Sequence, residues 1–337
     1  MPRPPISSIS PRIPEAIAAS AAQAFPVRSE PESTPERTAA PPIGDRMPMP
    51  FRLDPHEPFA AGLKRILMGE IAVARAAVAV PRAEQAAGIH RARRALKRAR
   101  SVLLVFRPLI GEDYRRRRDV LRDAADHLSA ARDADAMVAS AQKLDDRRPH
   151  DGAGVVIGRL SRAAEIAHAQ RPDTGRVAAL LRIAEADAAS LPLAPAAGRL
   201  FVEALGETYR RGRADWRKAE EEGGEDVLHD WRKRVKHRWH LSLLVVGRTA
   251  VTSRSIVGDL DELGELLGDE HDLALLVRRL GKEADVSGSK KAARHLAEEA
   301  ERRRRKLARR ACELGAELYG DKTRHFLQKL DGLATDA

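Results

Sequence analysis

Cysteine occurs once, at Cys312, so no intrachain disulfide can staple the chain and the lone thiol fits a reducing compartment. Aromatic residues make up only 4% of the 337 residues, which argues against the stacking platforms that single-stranded nucleic acid usually needs. No apolar run approaches the ~20 residues of a membrane span. The patch Ala16–Phe25 does not read as a secretory leader, because Glu15 and the preceding prolines break the basic-then-apolar order. Nothing alternates with period two for long enough to make a strand. No segment fits Gly-x-x-x-x-Gly-Lys-Ser/Thr or Gly-x-Gly-x-x-Gly, the loops that cradle nucleotide phosphates. A soluble cytoplasmic protein without membrane association is expected.

What is present is Ala, Leu, Arg and Glu in abundance, a helix-forming composition. Lys and Arg number 60 against 49 Asp and Glu, for a formal net charge of +11 and a pI near 10.1. Such a balance suits a polyanionic partner but says nothing about fold. Prolines crowd the stretch from Pro2 to Pro50, where each removes a donor and fixes φ, so residues 1–50 are expected to be a disordered tail. From Phe51 onward apolar residues recur at helical spacing. Helices are expected near 57–80, 84–107, 113–142, 155–170, 175–189, 196–220, 225–247, 253–267, 270–282, 288–318 and 321–332, which makes the fold all-α.

The chain also repeats itself. His90-Arg-Ala-Arg93-Arg94-Ala-Leu-Lys97-Arg98 and His229-Asp-Trp-Arg232-Lys233-Arg-Val-Lys236-His237 share one template of His, Arg, a further base, an apolar residue and Lys. About 40 residues after each His a second element recurs, Leu128-Ser-Ala-Ala-Arg132-Asp133-Ala-Asp135 and Leu266-Leu-Gly268-Asp269-Glu-His271-Asp272. Two ordered pairs at nearly equal separation indicate duplication. The implied architecture is a pair of four-helix-type bundles, 51–191 and 192–337, related by approximate two-fold symmetry around a basic cleft.

On a helix over 84–107, Ile89, Ala92, Leu96, Ala99, Leu103 and Phe106 form an apolar stripe that must be buried. His90, Arg93, Lys97 and Arg100 form a second stripe beside it, with Arg94 and Arg98 further round, and no carboxylate lies between His90 and Arg100. Like charges one turn apart repel by a few tenths of a kcal/mol per pair. Such a stripe therefore calls for acids from other helices or for an external anion. A solvated basic face is the plain alternative, but the same spacing recurs beside the core in 229–240. Two stripes facing each other across a cleft would select an extended, multiply charged chain.

These segments resemble the CHAD domain family, an α-helical domain that binds inorganic polyphosphate. The residues that carry the resemblance are His90-x-x-Arg93-x-x-x-Lys97-Arg98-x-Arg100, Tyr114-Arg115-Arg116, and Leu121-Arg122 through Arg132-Asp133-Ala-Asp135. In the second half they are His229-Asp-Trp231-Arg232-Lys233-Arg-Val-Lys236, Trp239 and Leu267-Gly268-Asp269-x-His271-Asp272-Leu. The resemblance spans about 53–333. It implies that His90, Arg93, Arg94, Lys97, Arg98 and Arg100 bind polyphosphate together with His229, Arg232, Lys233 and Lys236. Arg122 and Arg132 follow from the next helices. Trp239 departs from the pattern, since Arg100 stands at its place in the first repeat.

Other constellations point elsewhere. His237 and His240, with His229 or His271, have metal-ligand types but sit on a helix too basic to welcome a dication, and no metal or cofactor is expected. Asp133, Asp135, Asp269 and Asp272 read as partners for arginines or as caps, Asp269 before a helix at 270–282, rather than as a catalytic pair. The run Arg302–Lys306 follows Glu298, Glu299 and Glu301 and reads as an exposed helix with internal ion pairs. The expected function is non-catalytic polyphosphate binding, in the cytoplasm and in association with polyphosphate granules. A nucleic-acid binder gripping phosphates and a metal-dependent phosphohydrolase are the alternatives.

Overall fold

A computed structural model describes residues 51–170, 173–283 and 290–334, and every regular element among them is helical. The Pro-rich tail read over 1–50 lies outside the described residues. Thirteen α-helices follow in order: α1 (Phe59–Val78), α2 (Gln85–Leu103), α3 (Arg107–Ile110), α4 (Asp113–Asp126), α5 (Ala130–Arg147), α6 (Ala153–Ala169) and α7 (Thr174–Ala189), then α8 (Ala197–Glu221), α9 (Glu225–Leu244), α10 (Arg254–Glu283), α11 (Lys290–Tyr319), α12 (Thr323–Gln328) and α13 (Asp331–Ala334).

The apolar stripes go where helical periodicity sends them. Leu63, Ile66, Leu67 and Ile71 of α1 are buried, and so are Ala92, Leu96, Ala99 and Leu103 of α2, with Phe106 just beyond. Glu70 shares the buried face of α1, because Arg98 of α2 reaches it. Asp173 caps α7 by accepting from the Arg176 amide at 2.8 Å. Gly223 and Gly224 take positive φ before α9, a reversal that a Cβ would strain.

Two expected boundaries differ from those observed. The single helix read over 113–142 is interrupted at 127–129, where the amides of Leu128 and Ser129 close tight turns onto the carbonyls of Ala125 and Asp126. Conversely, the helices read at 253–267 and 270–282 are one continuous α10. Glycine inside a helix costs about 1 kcal/mol relative to alanine. At Gly268 that cost does not break α10, and a Cβ there would stand 3.6 Å from Nε and Nη2 of Arg232, an ordinary van der Waals contact. Asp269 is accordingly an interior helical residue and not a cap.

Burial does not stop at residue 191. One core joins α1, α2, α4 and α7 to α8, α9 and the facing parts of α10 and α11. A second joins α5 and α6 to Leu273, Leu276 and Leu280 of α10 and to Ala292, Leu296 and Ala300 of α11. The long α10–α11 pair serves both. Trp231 is fully buried in the first core, close to the Cα of Gly315, where a Cβ would meet it at 2.8 Å.

Candidate functional site

The two basic helices lie side by side. Ser101 of α2 meets His237 Nδ1 at 2.9 Å and His240 Nδ1 at 2.8 Å on α9. Its hydroxyl also donates to the Lys97 carbonyl. With its one proton spent there, Ser101 Oγ accepts from both rings, which assigns the Nδ1–H tautomer to each. Burial pushes the His237 imidazole down to about 3, helped by Arg100 and Arg234, and His240 is pushed down for the same first reason. Both rings are therefore neutral struts between the helices.

This contact places Lys97 among cations from both repeats. Burial, then Arg232, Arg93, Lys236 and Arg100, push its ammonium down to about 8. Its side chain nonetheless reaches solvent. Among the described residues no carboxylate comes within ion-pair distance of Lys97.

A cavity of about 1270 Å³ opens beside Arg100 between α2, α3, α4, α8 and α9. Arg100, Arg122 and Lys233 line it, as do Arg107, Arg115, Arg118, Arg211, Arg234 and His237. Three acids share the wall, Glu112, Glu203 and Glu207. Glu207 is held by Arg210 and Arg211, and Arg234 stands 3.6 Å from Asp215. Arg122 reaches Asp119 at 3.1 Å. Arg100 has no such partner among the described residues, and its buried Nε has no hydrogen-bond partner there either. Cations therefore outnumber acids around the space, and the excess creates a positive potential inside it.

At the opposite end of the stripes carboxylates stand among the cations. Arg93 donates to the Ala125 carbonyl at 3.1 Å and stands 3.7 Å from Asp133. Arg232 lies in the field of Asp272 and of Asp133. Burial pushes the Asp272 carboxyl up, against the pull of Arg232 and Arg132. His229 stacks on His271 with ring centroids 4.4 Å apart, and each has a buried Nδ1 with no partner among the described residues. Burial lowers both rings, His271 to about 4. His90 is exposed and is lowered by burial, Arg94 and Arg132.

Of the predicted binding residues, Arg100, Arg122 and Lys233 line the cavity and the others do not. Arg98 turns to α1, 3.7 Å from Glu70 and over the Phe51 ring. Arg94 is exposed and contributes to the field on Glu70. Lys236 is tied to Asp261 at 3.3 Å and lies over the Trp239 ring at 4.4 Å. Arg107, Arg115, Arg118, Arg211, Arg234 and His237 enter the wall without having been predicted as binding residues. The Arg115–Arg118 run was visible in the sequence, but α8 carries no repeated motif that would have marked Arg211.

A family model described as CHAD domain matches residues 65–281. The fold is similar to the crystal structure of the CHAD domain from the plant Ricinus communis, with a TM-score of 0.58 and 18% identity. That similarity covers 81% of this chain and 95% of the plant chain. Comparison with curated proteins finds no match.

Proposed function

Because the chain belongs to the CHAD domain family, the match spanning well over half its length, we propose that it binds inorganic polyphosphate in the basic cleft and performs no chemistry on it. The observation that carries this reading is Lys97, an ammonium pressed among Arg93, Arg100, Arg232 and Lys236. Such crowding is unfavourable in the empty protein and is relieved by an anion, and charge-assisted bonds to phosphate oxygens are about twice as strong as neutral ones. The neighbouring cavity, with its excess of arginines, extends the same field.

A polyanion without bases suits these walls. Tyr114 is the one Phe, Tyr or Trp side chain among the residues lining the cavity, and the Trp239 ring is covered by Lys236. Successive bases would find no row of rings to stack on. Asp133 is engaged with Arg93 and Asp261 with Lys236, and Asp272 acts on Arg232, which supports a binding role over proton transfer. No helix among the described residues is long and apolar enough to cross a membrane; the cytoplasm, with its polyphosphate granules, is the proposed location.

Competition binding tests the reading. Long-chain polyphosphate should displace a fluorescent DNA or RNA strand at matched charge and salt. Failure to displace it would transfer the function to nucleic acid. Magnesium-dependent release of orthophosphate would replace the binding role with a hydrolytic one.

A further inference from the structure

Resting on the polyphosphate reading, we infer that the outer face of α11 is a second, weaker polyanion site, so that one molecule holds two strands and cross-links polyphosphate. Between Arg302 and Arg310 the helix carries seven Lys and Arg and no carboxylate. Acids from outside that stretch reach only three of them. Arg302 is taken by Glu299, and Arg304 turns inward to the buried Glu270 at 2.7 Å and to Glu301 at 2.9 Å. Arg310 stands 3.7 Å from Glu262 and 3.5 Å from Glu313. Arg303, Arg305, Lys306 and Arg309 make no ion pair among the described residues, and the last three are exposed.

Helix geometry aims these cations away from the protein. Ala300, Leu307, Ala311 and Leu314 are buried, and with about 3.6 residues per turn Arg305 and Arg309 fall on the opposite side, with Lys306 beside them. The face is also separate from the cavity, to whose wall α11 contributes no residue. An anion that fills the cavity therefore leaves the α11 cations unmatched. Like charges one turn apart repel, and a second anion relieves them.

The chemistry of the face fits a chain of phosphates. Three of its four free cations are arginines, whose planar fork takes two phosphate oxygens at once. The one Phe, Tyr or Trp of α11, Tyr319, is buried, so the face offers no such ring for a base to stack on. Its apolar side is consumed by the two cores and has nothing to insert into a bilayer. Exposed charges are screened by salt far more than partly buried ones, which makes this the weaker site. A protein with one site decorates a long chain, whereas a protein with two joins chains into a network.

Light scattering and calorimetry test the assignment. At low ionic strength, long-chain polyphosphate mixed with the protein should scatter most at an intermediate ratio and clear when either component is in excess. The triple substitution Arg305→Glu, Lys306→Glu, Arg309→Glu should abolish the scattering while the affinity of the first short chain changes less than about threefold. Calorimetric titration with a chain too short to reach both sites should find two chains per unaltered protein and one per variant, and added salt should remove the second chain before the first. If the unaltered protein takes one short chain and scatters no light, or if the folded variant networks as strongly, the second site is overturned and the polyphosphate reading stands. Failure of every chain to bind overturns both. If the variant loses duplex DNA and keeps both polyphosphate chains, the face belongs to nucleic acid and the inference fails. Should circular dichroism show the charge-reversed variant unfolded, Arg305→Gln with Arg309→Gln keeps the side chains polar and is read in the same two assays.

Discussion

Arg98 stands 3.7 Å from Glu70 with the carboxylate 3% exposed, so one cation of the basic helix is committed to fastening α2 onto α1. Removing one member of a buried pair leaves the other as an uncompensated charge, which costs about 3–5 kcal/mol, whereas replacing both with apolar residues is often neutral. Glu70→Ala should therefore destabilise the protein by about that amount, and Glu70→Leu with Arg98→Met should restore most of it. Urea unfolding of the single and double variants measures the difference. Equal losses in both would mean that the pair is not coupled.

Charge reversal at Lys97 and Lys236 together should lower polyphosphate affinity by about a hundredfold or more while helicity is retained. The control belongs on α11 but has to avoid Arg304, which reaches the buried Glu270 at 2.7 Å as well as Glu301. Arg303 and Arg305 make no ion pair among the described residues, and reversing them should change affinity less than about threefold. Comparable losses from the two variants would show that general basicity, and not a defined cleft, drives binding.

Proton linkage should report on Lys97. Its ammonium is pushed down to about 8 in the free protein by burial and by neighbouring cations, and a bound polyanion favours the charged form and raises that value. A group whose pKa rises on binding strengthens affinity fully below its free value and loses that contribution as pH rises through its bound value. Binding at pH 8 should therefore take up protons, and affinity should fall as pH climbs above 8. Calorimetry in two buffers of different ionisation enthalpy detects the uptake, and Lys97→Met should reduce it. An unchanged uptake in that variant would assign the proton to another group.

Stability should fall in acid for a separate reason. His237 titrates near 3 in the folded protein against an ordinary 6.5, because burial disfavours its charged form. The unfolded chain then binds more protons over that window, so stability is intact above about pH 6.5 and declines as pH falls toward 3. His237→Leu should flatten the slope of unfolding free energy between pH 6.5 and 4. A slope unchanged from the parent protein would place the acid sensitivity elsewhere.

The buried stripes of α1 and α2 could be read directly, because a 3.6-residue period with few polar interruptions has one stable solution. The interruption at 127–129 could not, since Asp126, His127, Leu128 and Ser129 include neither glycine nor proline and turn through their own backbone bonds. Gly268 misled in the opposite direction. Its lack of a side chain looked like a break, but one glycine costs a helix only about 1 kcal/mol, and Leu263, Leu267, Leu273 and Leu276 are buried on either side of it. Among the basic residues, Arg98 and Arg100 differ by two positions, and that offset sends one to Glu70 and the other to the cavity.

By itself the sequence determined that the chain is helical, that it is built on a repeated motif, and that each repeat carries unpaired basic charge beside its apolar stripe. These follow from local periodicity and composition, which need no knowledge of neighbours. Only the tertiary structure decided which cations remain uncompensated, because Asp133, Asp261 and Glu70 reach Arg93, Lys236 and Arg98 from other helices. Electrostatic fields add through space between groups far apart in the chain, so the charge around the cavity is fixed by packing and not by the basic helices alone.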